Sequence, residues 1–262
     1  MRPVLYTTRL KRDFGGVIAV NNVDFQAFPG QITGLIGPNG AGKTTLFNTI
    51  TGMDTPTSGT VHFRQNDITG KRAHHISRLG IARTFQNIRL FKDMTVLENV
   101  MVGRHFRETH SLASRSRMLN AVLSMVHLGK EEISTYTNAM EWLRFCRLEG
   151  LANEYARNLP YGKQRELEIS RALATEPSLL FLDEPAAGMN PQETDALMTI
   201  IRRIQKAGIT IVLIEHDMKL VMNICDTITV LNYGHKIAEG CPAEIRNNHH
   251  VIEAYLGSDK QD

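Results

Sequence analysis

Nine consecutive residues, Gly37-Pro38-Asn39-Gly40-Ala41-Gly42-Lys43-Thr44-Thr45, constrain this chain more than any other stretch. They match the pattern of Gly, four free positions, then Gly-Lys-Ser/Thr, in which a loop wraps a polyphosphate. Closely spaced phosphate oxygens need several N–H donors to converge with no side chain between them, and glycine permits that approach. Lys43 supplies a cation for the terminal phosphates, the Thr44 hydroxyl can ligate magnesium, and the helix starting there turns its positive end towards the anion. Such a loop needs a strand before it and a helix after it. Gln31 to Ile36 reads as a short buried strand, and Thr44 to Ile50 as a helix that stops near Gly52.

With 262 residues and 42% hydrophobic content, the chain can bury a full core, as one large α/β domain or a core with a smaller lobe. A formal net charge of +3 falls well short of a nucleic-acid footprint, so no nucleic-acid partner is indicated. Cys146, Cys225 and Cys241 are widely spaced, which suggests neither a disulfide framework nor a zinc site and suits a reducing cytosol. The first residues lack the apolar core of a signal peptide, and no window reaches the roughly 18 apolar residues that span a bilayer. Work at a membrane would have to go through a partner.

The N-terminal portion alternates apolar and polar residues, as from Val23 to Ala27, with turns at Gly15-Gly16 and Pro29-Gly30, and reads as antiparallel strands. Phe14 beside the first turn either offers a π-face to a purine or packs as an ordinary aromatic. Val61 to Phe63 resumes a strand, Gln65-Asn66-Asp67 reads as the next turn, and His74-His75 read as solvated rather than metal-binding. Gln86 ends a strand-like run, where it either ligates a metal or orients a water, or is a buried amide satisfied by backbone. From Thr95 to Leu159 the period turns helical, with Val96, Asn99, Val100, Leu119, Val122, Leu123 and Val126 at helical spacing. Arg104, His105, Arg107, Arg115 and Arg117 make the start of this lobe basic, either as a solvated face or as a contact for lipid phosphate or an acidic partner.

Leu159-Pro160-Tyr161-Gly162-Lys163-Gln164 then opens a helix that runs to Thr175, and its free N–H groups form a second anion site suited to a neighbour's phosphate. Leu179 to Leu182 is an apolar strand ending in Asp183-Glu184. Successive strand side chains point to opposite sides, so Asp183 can hold a metal while Glu184 serves as general base to an attacking water. Asn190-Pro191-Gln192-Glu193 is a helix start with an Asn cap, Pro first and Glu third. Leu197, Ile200, Ile201 and Ile204 form the buried stripe of that helix. A strand from Thr210 to Ile214 leads into Glu215-His216-Asp217, where His216 either senses a γ-phosphate or is structural. An edge hairpin from Thr227 to Glu239 and a short C-terminal helix follow, with no visible chemistry.

Taken together, the loop at Gly37, Gln86, Leu159 to Gln164, Asp183-Glu184, Ala187 to Asn190 and His216 resemble, in the right order and over essentially the whole chain, the motif set of an ABC transporter ATPase subunit. The resemblance implies an α/β P-loop fold with a RecA-like core, an N-terminal antiparallel β subdomain and an inserted α-helical subdomain. It places the core at 1–86 and 166–262 and the helical subdomain, with the signature motif, at 87–165. It further implies ATP and Mg2+ as ligands, Phe14 as the adenine-stacking aromatic, and Gln86 as the link between magnesium and a transmembrane partner. His216 becomes the switch residue, and Pro160, Tyr161 and Gly162 become contacts to a partner's nucleotide. Arg83 to Phe91, Ala186 to Pro191 and Ile214 to Met222 resemble more narrowly the ATPases of branched-chain amino acid importers. Those imply two permeases, a second and different ATPase subunit, a periplasmic binding protein, and a place on the cytoplasmic face of the inner membrane.

Two departures stand out. The superfamily signature Leu-Ser-Gly-Gly-Gln is here Leu159-Pro160-Tyr161-Gly162-Lys163, which removes a hydroxyl and an N–H. Asn190 stands where Asp is common. Importers of urea or other small amides use similar motors, and soluble ABC-type ATPases acting on ribosomes or DNA are a second class. The latter usually carry two motor domains or a long coiled coil, and neither pattern occurs here. A regulatory module without turnover is disfavoured by Glu184 and His216.

Overall fold

The computed structural model describes the backbone of residues 1–112 and 120–258, and side chains outside 105–132 and 256–258. Of the expected helical-lobe positions, His105, Arg107, Arg115, Arg117, Leu119, Val122, Leu123 and Val126 lie outside the described side chains. The chain divides into two compact units: Met1–Gln86 with Ser178–Gly188 and Ile201–Asp262, and Asn87–Pro177 with Met189–Ile200. The sequence places the end of the helical part at 165. That position falls inside a continuous helix, Tyr161–Leu173, and the second unit runs on past it.

In chain order the first unit holds β1 (Leu5–Phe14), β2 (Val17–Val23), β3 (Gln26–Ala27), β4 (Ile32–Ile36), α1 (Lys43–Ile50), β5 (Ser58–Phe63), β6 (Asn66–Asp67), α2 (Ala73–Arg78) and β7 (Ile81–Arg83). One antiparallel sheet has the order β2-β1-β5-β6, with β3 also paired to β1. From Val23 to Ala27 burial alternates strictly, as the sequence pattern requires, although the ladder breaks at Asp24 and Phe25. The turn expected at Gln65-Asn66-Asp67 lies one step earlier. Arg64 and Gln65 take positive φ of 47° and 68°, and Asn66–Asp67 pairs back onto His62–Phe63. Asn and Asp read as turn formers on propensity, and the pairing partner overrides it.

The chain returns to this unit with β8 (Leu179–Asp183), β9 (Thr210–Ile214), α7 (Met218–Ile224), β10 (Thr227–Asn232), β11 (His235–Gly240), α8 (Pro242–Arg246) and α9 (His249–Ser258). The single C-terminal helix expected is therefore two. The second sheet has the order β11-β10-β4-β9-β8-β7, parallel except for β11. Its central strands β4, β8 and β9 are buried at every residue, the signature of a parallel sheet covered on both faces. Leu46, Phe47 and Ile50 of α1 pack on it, with the Phe47 and Phe181 rings edge to face at 4.8 Å. Register aligns Leu35 with Ile214 and Ile214 with Asp183, so three strands end in one row. Ligands of open α/β sheets sit beyond such carboxyl ends.

The second unit holds α3 (Val96–Leu112), α4 (Asn120–Phe145), α5 (Tyr161–Leu173) and the first part of α6 (Pro191–Lys206). Asn99, read as one position of the helical stripe, is fully buried. Its amide accepts from Phe91 N and donates to the Phe91 and Thr95 carbonyls, clasping the segment ahead of α3. Arg104 pairs with Glu176 at 2.6 Å. On α5, Arg165 and Glu168 form a wholly buried pair at 2.8 Å, and Glu168 also accepts from Arg89 N. Among the described residues no helix is long and apolar enough to cross a membrane.

Candidate active site

The strand ends of the first unit bring most of the expected residues together. Gly37 follows β4 with φ 150°, and a side chain there would place its Cβ 2.1 Å from the Leu231 carbonyl, so only glycine fits. Pro38 is half-buried, Asn39 and Gly40 are exposed, Ala41 is buried, and Gly42 caps α1. Thr44 is exposed and Thr45 half-buried on the first turn of that helix. The Lys43 ammonium donates to the Gly37 and Pro38 carbonyls at 2.6 and 2.9 Å. Burial pulls its pKa below the usual lysine value, and the charges of Glu184 and Asp183 oppose that shift, which places both carboxylates within its field.

Asp183 is buried at the end of β8 and receives Arg83 at 2.7 Å. The same guanidinium donates to Asn48 Oδ1 at 2.7 Å and Thr51 Oγ1 at 3.1 Å on and after α1, tying the phosphate-loop helix to the acid. Glu184 departs from the strand with a positive φ of 45°, a conformation that costs a non-glycine residue about 1 kcal/mol or more. Its N–H stays on the ladder through the Ile214 carbonyl at 3.0 Å, and its carboxylate meets Gln86.

Gln86 is exposed and donates from Nε2 to Glu184 Oε2 at 2.8 Å, which removes the buried-amide alternative. His216 is also exposed, with Nδ1 3.9 Å from Glu184 Oε2, so it is no packed structural histidine. Phe14 is 47% exposed at the β1–β2 turn rather than packed, and the Arg12 guanidinium lies 4.2 Å over its ring. Thr44, Gln86 and Asp183 offer only oxygen to a cation. That suits a hard ion such as Mg2+, which takes few protein ligands and keeps waters and phosphate oxygens. No group of three or more His, Cys, Asp and Glu residues able to hold a metal occurs among the described residues.

Sequence reasoning missed two residues. Arg83 is the one that holds Asp183. Glu215, fully buried, accepts from Ala186 N at 2.8 Å and His216 N at 3.1 Å, joining the loop after β8 to the loop after β9. Burial holds its carboxyl above the usual range, against those hydrogen bonds. A charged residue directly after four buried apolar positions, Ile211 to Ile214, was the available signal.

Pro160, Tyr161 and Gly162 belong to the second unit, where Pro160 is the N-cap of α5. Pro160 and Tyr161 are exposed and Gly162 is buried. A Cβ on Gly162 would meet Glu193 Oε1 at 2.6 Å, so this glycine also makes room for a carboxylate. Glu193 in turn exchanges hydrogen bonds with Asn190 at 2.9 and 3.0 Å, the reciprocal cap expected of that run.

This arrangement can bind a polyphosphate, hold a cation beside it and activate a water. Comparison with known proteins gives the same reading. The family model described as ABC transporter matches residues 20–187, and one described as branched-chain amino acid ATP-binding cassette transporter matches residues 235–261. The chain is 45% identical to the high-affinity branched-chain amino acid transport ATP-binding protein LivG of Escherichia coli K12, over 98% of each chain. Its identity to BraF of Pseudomonas aeruginosa, which carries the same description, is 44% over 98% of each. The fold is similar to the ADP conformation of MJ1267, an ATP-binding cassette of an ABC transporter, with a TM-score of 0.82, 31% identity, and coverage of 98% of this chain and 100% of that one. The chain belongs to the ATP-binding proteins of ABC transporters and is an ATPase of that family.

Proposed function

We propose that the chain is the ATP-hydrolysing motor of a branched-chain amino acid importer. The observation that carries hydrolysis is Glu184, turned out of β8, hydrogen-bonded to Gln86, near His216 and within the field of Lys43. The near full-length similarity to LivG and BraF supports the cargo class.

In this reading the N–H groups of Gly37 to Thr45 and the positive end of α1 bind the β- and γ-phosphates, and Lys43 exchanges two neutral carbonyls for their stronger anionic oxygens. Phe14 stacks the adenine. Glu184 takes a proton from water as its oxygen bonds to the γ-phosphorus; the bond to the β–γ bridging oxygen breaks, and ADP and inorganic phosphate leave. His216 hydrogen-bonds the γ-phosphate. Thr44, Gln86 and Asp183 would hold magnesium, which would spread the phosphate charge. The boundary between the two compact units falls directly after Gln86. That position suits a residue passing the state of the nucleotide to a permease.

The site is completed by a second ATPase subunit, whose signature faces this loop while Pro160, Tyr161 and Gly162 face the partner's nucleotide. Two permeases hold the pair at the cytoplasmic face of the inner membrane, and a periplasmic binding protein delivers the solute. Lacking the usual serine hydroxyl, the Pro160 signature makes the two composite sites unequal. Glu184→Gln is expected to trap an ATP-bound closed dimer with hydrolysis down by about 100-fold or more; normal turnover would refute the base. Reconstitution with the co-purified permeases is expected to give ATP-dependent leucine uptake, and uptake of urea but not leucine would overturn the cargo.

A further inference from the structure

The C-terminal helices, where the sequence shows no chemistry, frame a cleft of about 450 Å3 within the first unit. Its walls are Met218 and Met222 of α7, Ile245 of α8, and Val251 and Tyr255 of α9. Ile245 and Val251 are buried and the methionines and Tyr255 half-buried, whereas Lys219 and Arg246, which also line it, are exposed. Neither cation pairs with a carboxylate among the described residues. The cleft thus has an apolar interior and two cations at its mouth, a volume in the range of small-molecule sites, and methionine walls that adapt to a guest.

Two of its walls run into the active site. Helix α7 begins two residues after His216, with Asp217 as its cap. The phenol of Tyr255, raised by burial above the usual tyrosine range, lies towards the N–H of Gly37, the first residue of the phosphate loop, without a hydrogen bond to it.

We propose that this cleft binds a small monocarboxylate with an aliphatic body, and that its occupancy changes the nucleotide affinity of the phosphate loop through α7, whose cap Asp217 adjoins His216. The aliphatic body takes the Met, Ile and Val walls, and the carboxylate meets Lys219 and Arg246. A neutral apolar guest would leave both cations without an anion. A multiply charged one would lose hydration that the apolar walls do not replace. The coupling half of the proposal rests on the reading of Gly37 to Thr45 as the nucleotide site; the binding half does not.

The test titrates the purified full-length chain calorimetrically with saturated monocarboxylates of increasing length, below their micelle concentrations, and measures the affinity of a fluorescent ATP analogue with and without octanoate. Affinity is expected to rise about fourfold per added methylene until the cleft is full. Met222→Trp should abolish octanoate binding and leave analogue affinity unchanged. Lys219→Ala with Arg246→Ala should weaken octanoate about tenfold.

Absence of saturable binding at every length, or binding that survives Met222→Trp, overturns the proposal. Octanoate binding without any change in analogue affinity overturns the coupling. If no carboxylate binds and Met222→Trp instead changes the sedimentation state, the cleft is a protein interface and the proposal falls. Failure of the analogue to bind the unmodified chain would count against the nucleotide-site reading alone, since the calorimetric arm does not depend on it.

Discussion

The carboxamide of Gln86 donates to the carboxylate of Glu184 at 2.8 Å, across 98 positions of sequence. The bond occupies a carboxylate oxygen that would receive the proton of water, so the proposed hydrolysis requires Gln86 to release Glu184 or to carry it into place. Gln86→Ala is therefore expected to change the ATPase rate of the isolated subunit by about ten- to a hundredfold, the scale of one hydrogen bond to a charged group. Stimulation by reconstituted permeases should be lost. Steady-state phosphate release with and without the permeases measures both.

Arg83 pairs with Asp183 at 2.7 Å, and both are largely buried. Arg83→Met should destabilise the first unit by about 3 kcal/mol, because it removes a paired cation from a buried carboxylate. Arg83→Lys keeps the charge but loses the fork that also reaches Asn48 and Thr51, and should fall between the two. Urea unfolding monitored by circular dichroism ranks the three proteins.

Glu215 makes two backbone contacts that glutamine cannot reproduce, since one amide face would meet an N–H. Because burial raises its carboxyl pKa in the folded state, its contribution to stability is full below the ordinary value of 4.5 and declines as pH rises through the raised value. The advantage of the parent over Glu215→Gln should thus be greatest in mild acid and shrink towards neutrality. Paired urea titrations across that range would expose an opposite slope.

The thiols report on the sheet itself. Cys225 lies against Gly34 of β4, and burial pushes it up to about 12, leaving about one thiolate in 10⁴ at pH 8. Cys241 is exposed. Iodoacetamide at pH 8 should modify Cys241 first and Cys225 slower by about a thousandfold, with Cys146 equally protected by burial. Peptide mass spectrometry over time resolves the order, and rapid labelling of Cys225 would contradict the packing described.

What the sequence made legible was local. The phosphate loop, the acids at the end of β8 and the Asn190–Glu193 cap each occupy a few adjacent residues, and their spacing alone dictates their geometry. Arg83 and Glu215 escaped because their partners are 100 and 29 positions away, joined only by strand order. Gln86 and His216 stayed ambiguous because exposure decides their reading, and exposure follows from packing. The second compact unit runs past 165 because α5 continues unbroken through that position.

The buried Arg165–Glu168 pair has a mechanical meaning. Glu168 holds the Arg89 N–H, and Arg171 of the same helix lies 5.7 Å over the ring of Phe91, so the segment just after Gln86 is riveted to α5. A tug on Phe91 from a membrane partner would travel along that rod to its start, at Pro160. If that start faces a second subunit's nucleotide, as proposed, each half would sense its own load by way of the other's ATP.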